Sequence, residues 1–180
     1  MALSRKGAAA LTAALAVVAS FALTGSAFGA DQREVRMQDD CEPASFNAAL
    51  GPGACVRAGQ TTFDDLLAQF AAKHSVDKWR FTRTDFNIDL GGTIHVVNQG
   101  GEFHTFSPVD EFGNGCSPLD NGEEPAVDCA EFRAIAEATG VPAGGVLDVS
   151  AAKPGIQRFE CLIHPWMRST VEVRARGGRG

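Results

Sequence analysis

The chain has 180 residues, 44% of them hydrophobic, and a formal net charge of -6, which suits one domain with one ordinary core. Its 16 Lys and Arg are outnumbered by 22 Asp and Glu and form no long run; that argues against a nucleic-acid partner, since neutralising phosphates needs clustered cations. An acidic surface favours encounter with a basic partner.

Residues 1–29 read as a signal peptide. Arg5 and Lys6 are a charged start, 8–23 is an uncharged apolar run, and Gly25, Ser26, Ala27 and Gly29 follow as small residues. Cleavage is expected after Ala27 or Gly29. The run is short for a membrane span, which needs about 20 residues, so no span is expected after cleavage. The first cysteine is Cys41, too far on for a lipid-modified N-terminus. The product is an exported protein, periplasmic or secreted, and losing Arg5 and Lys6 takes its charge from -6 to about -8.

Residues 30–40 are polar and charged and are expected to form a flexible arm before a domain over 41–175. Residues 41–60, with Gly51-Pro52-Gly53 and two cysteines, read as a clipped loop. Residues 61–74 read as one amphipathic helix, with Phe63, Leu66, Leu67 and Phe70 at helical spacing. Thr62 and Asp65 resemble a capping box at its start. From residue 78 the period changes to two: Trp79, Phe81 and Arg83, then Phe86, Ile88 and Leu90. Thr93–Asn98 is a β-branched run between glycine pairs, and 102–107 is a short strand. Residues 108–143 are irregular, with a short helix expected near 131–138. Strands follow at 146–149, 156–163 and 170–174, and 176–180 reads as a disordered tail. Short strands with turn signals between them predict an all-β antiparallel sandwich or barrel.

The five cysteines are Cys41, Cys55, Cys116, Cys129 and Cys161. In an oxidising compartment an odd number leaves one thiol to explain. Short loops close most easily, so Cys41 with Cys55 and Cys116 with Cys129 are the expected disulfides among three possible pairings. The second would brace the long 108–143 insertion. Cys161 is then unpaired.

Cys161 opens the segment Cys161-Leu162-Ile163-His164-Pro165-Trp166-Met167. A thiolate, two imidazoles and a weak thioether are the ligand set of a mononuclear blue-copper site. One loop offers Cys161, His164 and Met167, and His104 in Phe103-His104-Thr105-Phe106 is the candidate second imidazole. Metal binding would hold Cys161 as thiolate and keep it from disulfide exchange. Zinc could use the Cys and two His, but has little use for Met167. His95 is read as a sheet-surface histidine and His74 as a helix-end cation. Glu160 is expected to face away from the metal, as strand neighbours alternate. Enzymatic readings lack residues: four histidines with no His-x-His pair do not suit a multicopper oxidase, and one loop cysteine does not suit a binuclear copper centre.

Residues 86–173 resemble the cupredoxins, the plastocyanin and amicyanin family. The resemblance lies in TIHVVNQGGEFHTF and in GIQRFECLIHPWMRSTVEV, whose tight Cys-x-x-His-Pro-x-Met loop is similar to amicyanin's. It implies a Greek-key β-sandwich with copper at one end, here with one added N-terminal helix and a disulfide-braced insertion. It also implies copper ligation by His104, Cys161, His164 and Met167, and one-electron transfer. Electrons would pass through an exposed His164 edge to a redox partner docking near His164 and Trp166; the alternative role of Trp166 is to pack the loop onto the core. Copper delivery, storage or sensing is the alternative role, and a structural domain on the same fold a third.

Overall fold

The computed structural model of the chain describes residues 31–175. The expected signal peptide and the 176–180 tail lie outside the described residues. Two four-stranded sheets face each other across one core. The first has the order β2 (Arg80–Phe81), β1 (Gln32–Gln38), β4 (Thr93–Asn98), β8 (Val146–Ser150). The second runs β3 (Asp85–Asp89), β10 (Arg168–Arg174), β9 (Gly155–Glu160), β6 (Ser107–Val109). A small pair, β5 (His104–Thr105) with β7 (Gly140–Val141), closes one end. The chain changes sheet between β2 and β3, β3 and β4, β4 and β6, β6 and β8, and β8 and β9, so the expected Greek-key sandwich is what forms.

Two expectations are corrected. Residues 30–40 are not a loose arm: β1 is an inner strand, parallel to β4 from Gln32↔Thr93 to Met37↔Asn98. Only one of its faces meets the core, through Val35 and Met37, so its composition reads polar although it pairs on both sides. The ladder is also not wholly antiparallel, since β3 pairs with β10 in parallel as well.

The N-terminal addition is two helices rather than one. α1 (Pro43–Leu50) starts with proline at its first position, and Glu42 accepts hydrogen bonds from the Ala44 and Ser45 amides, a use of proline and an acid that suits a helix start. α2 (Phe63–Lys73) starts as expected, with the Thr62 hydroxyl accepting from the Asp65 amide. It ends at His74, whose backbone is left-handed at φ 51°. The expected disulfides are both present, Cys41–Cys55 beneath α1 and Cys116–Cys129 in the insertion. The insertion carries a 3-10 turn (Cys129–Glu131) and α3 (Phe132–Thr139).

The core joins the layers. Between the sheets Phe106 stacks on Phe159 and meets Phe81 edge-on, with ring centroids 4.4 and 5.2 Å apart. Phe46 of α1 lies 5.9 Å from the Trp79 ring and 5.4 Å from Phe63, so the helical pair is fastened to the sandwich by aromatic contact. Each such buried side chain contributes on the order of 2 kcal/mol. No helix among the described residues is long and apolar enough to cross a membrane.

Candidate metal centre

The strands bring two short segments together at one end of the sandwich. Pairing of β5 with β7 holds His104 in a two-residue strand, where it is fully buried. The antiparallel pair β9–β10 is joined by the loop Cys161–Met167. That loop is pinched by the Cys161 amide donating to the Met167 carbonyl at 3.0 Å. Inside it, the His164 amide donates to Cys161 (3.1 Å) and the Met167 amide to His164 (2.8 Å). These turns point the loop's donors inward.

Thr105 stitches the two segments. Its hydroxyl oxygen accepts the Leu162 amide at 2.9 Å, and its own amide points at Cys161 Sγ at 3.4 Å. A backbone N–H on the sulfur favours the thiolate.

Three donor atoms converge. Cys161 Sγ is 3.7 Å from His104 Nδ1 and 3.7 Å from His164 Nδ1, and the two Nδ1 atoms are 3.2 Å apart. The point equidistant from all three lies about 2 Å from each, the range of metal–imidazole bonds. The triangle therefore fits one small cation. Met167, at the end of the same loop, is buried in the core. His104, Cys161 and His164 are three of the four residues singled out from the sequence; no other group of three His, Cys, Asp or Glu among the described residues is arranged to hold a metal.

Buried carboxylates surround the triangle, and the sequence reading missed them. Asp39 Oδ2 lies 2.9 Å from His104 Nε2, with the two side chains 1% and 0% exposed. Glu102 Oε2 accepts the Trp79 indole N–H and stands 3.7 Å from His164 Nε2. Nothing in the chain's spacing points to Asp39, because 65 residues separate it from His104.

The environment tunes these groups. Burial alone would depress the His104 pKa, but the Asp39 hydrogen bond and the Cys161 sulfur raise it to about 10. Burial would raise the Cys161 thiol, but the two histidines hold it well below the ordinary range. Burial also works to raise Asp39, yet His104 and the Gly101 and Glu102 amides bring it to about 2. For Glu102 burial wins, and its pKa is raised against the pull of His164 and the Trp79 indole. A thiolate beside imidazole nitrogens is ready to ligate once the metal displaces a proton.

The expected exposed His164 edge is corrected. His164 is only 4% exposed. Its ring lies against Trp166 at 5.4 Å and Trp79 at 6.5 Å, and Phe70 of α2 covers Trp166 at 5.3 Å. The helical addition, invisible in the ligand motif, forms the cover. The other singled-out residues fall where expected. His95 bonds Asp148 on the sheet surface at 2.6 Å. Glu160 bonds the Gly113 amide and Arg168.

A Greek-key sandwich with a buried Cys-His-His triangle where the last two strands meet decides the architecture. The fold is cupredoxin-like. Solved structures similar to the chain include a purple cupredoxin from Nitrosopumilus maritimus, at 15% identity and a TM-score of 0.40, over 55% of this chain and 86% of that one. An amicyanin variant in its Cu(I) form is similar at 14% identity and TM-score 0.35, over 53% of this chain and 73% of that one. Plastocyanin from Dryopteris crassirhizoma is similar at 13% identity and TM-score 0.35, over 54% of this chain and 90% of that one. No protein-family model and no curated protein matches the chain. The helical cover and the insertion are what this chain adds to its cupredoxin-like sandwich.

Proposed function

We propose that the chain is an exported type 1 copper protein that holds one copper ion on His104, Cys161 and His164, with Met167 as the weak fourth ligand, and carries single electrons. The observation that supports this most is the triangle of one sulfur and two Nδ1 atoms with 3.2–3.7 Å sides. Bound copper supplies a one-electron Cu(II)/Cu(I) couple. The residues serve both states: imidazole suits Cu(II), the thiolate and thioether suit Cu(I). The loop hydrogen bonds and the Thr105 stitch keep the donors in place, so little moves when an electron arrives. Met167 favours copper over zinc. With His164 covered, the surface for a redox partner is the half-buried Trp166 beside it. An acidic chain favours a basic partner there.

The test is loading. Purified protein given Cu(II) is expected to show an intense thiolate-to-copper visible band and a reversible reduction. Cys161→Ser should abolish the band. A colourless protein under excess copper would overturn the assignment. A second reading, a closed module for storing or sensing copper, is favoured by the covered His164. Slow electron exchange with slow copper release would support it over the carrier.

A further inference from the structure

We propose that Asp39 is a positioning residue for the copper site: its buried carboxylate fixes His104 with Nδ1 turned to the metal and holds the Cu(II) state more tightly than the Cu(I) state. This rests on the copper reading above and deepens it.

The carboxylate is locked from every side. Oδ1 accepts the Gly101 amide at 2.9 Å and the Cys41 amide at 3.3 Å. Oδ2 takes the Glu102 amide at 3.1 Å and faces His104 Nε2 at 2.9 Å. A Cβ on Gly100 would lie 1.9 Å from Oδ2, so the loop wraps the carboxylate with no room for it to turn away. Acceptor-only oxygens at Nε2 require that nitrogen to carry the proton. His104 Nδ1 is thereby the nitrogen that can give up its proton to a metal, and it is the atom that faces Cys161 Sγ. A carboxylate behind a ligating imidazole also raises its basicity. A full negative charge in contact with the ring favours the more positive metal state, and burial keeps water from screening it. Glu102 does not do the same for His164: its oxygen is 3.7 Å from Nε2, beyond a direct hydrogen bond, and is already taken by Trp79. The two histidines are therefore unequal ligands.

The experiment compares the full-length protein with Asp39→Asn, an isostere that keeps the volume and an acceptor oxygen but removes the charge. Affinities for Cu(II) and Cu(I) are measured by chelator competition, and the midpoint potential by titration. The variant is expected to lose about 10- to 100-fold in Cu(II) affinity and less in Cu(I) affinity. Each tenfold difference between the two losses raises the potential by about 59 mV. Equal losses in both states, with an unmoved potential, would reduce Asp39 to a merely structural part and overturn the proposal; so would no loss at all. Should the variant not fold, the unaltered Cu(I) protein decides by NMR. A His104 Nε2 proton that is far downfield and slow to exchange supports the bond to Asp39. One that exchanges freely overturns it. Unaltered protein that binds no copper would end the copper reading and this inference together; a potential indifferent to Asp39 ends only the inference.

Discussion

Glu160 shows how a residue can sit next to a ligand and serve something else. Its side chain is fully buried, one oxygen has no hydrogen-bond partner, and the other bonds the Gly113 amide and Arg168. Burial lifts its pKa from the ordinary 4.5 to about 7, against the pull of the Gly113 amide and Arg168. A raised carboxyl makes the folded state bind its proton more tightly than the unfolded one. Stability should therefore fall as pH rises from 4.5 to about 7 and then level off. Glu160→Gln is expected to flatten that fall by on the order of 2 kcal/mol. Urea unfolding of the copper-free proteins across this range checks it; parallel pH profiles would sink the idea. The sequence placed Glu160 on a strand, and strand alternation turned it from Cys161. Its partners, Gly113, 47 residues away, and Arg168, across the hairpin, come from other segments, which alternation does not name.

At the scale of elements, the helical pair decides how open the centre is. α2 exists because Phe63, Leu66 and Phe70 share a face and Thr62 caps its start. That much is readable from spacing. That this face lies over Trp166, and Trp166 over His164, is set by how the Trp79 and Phe46 rings dock the helices on the sandwich. Phe70→Ala should thin the cover, at a cost of about 3 kcal/mol. It is expected to speed electron exchange with a small inorganic oxidant by about tenfold, as stopped-flow mixing would show. An unchanged rate would mean that electrons do not pass on the α2 side. The insertion is braced differently. Arg168, directly after the ligand loop, donates to the Gly113 and Pro165 carbonyls and pairs with Glu123, and the Cys116 amide bonds the Leu162 carbonyl. The 108–143 stretch read as irregular because these bonds, not a repeating pattern, order it.

For the molecule as a whole, a bound metal and the fold would support each other. The donors are held by pairs of segments distant in sequence: β5 with the last hairpin, and β1's end with His104. A cation that binds only this arrangement stabilises the folded state by mass action, about 4 kcal/mol at a thousandfold excess over its dissociation constant. For a domain of this size that raises Tm by roughly 10 °C. Thermal unfolding with and without copper tests this. Cys161→Ser should lose most of the gain, and a gain that survives it would place the copper elsewhere.

The sequence by itself singled out the candidate donors. Odd cysteine arithmetic isolated Cys161, one tight loop brought His164 and Met167 with it, and short loops paired the other four cysteines. It also determined the β character, because period-two alternation is local and each strand carries its own. Tertiary structure decided what local patterns do not encode. It made a central strand of residues 32–38, whose two core side chains leave the rest polar. It set Asp39 behind His104 and Glu102 near His164, by loop closures spanning the domain. It also sealed the His164 edge, since cover is a property of which surfaces meet and not of any one segment.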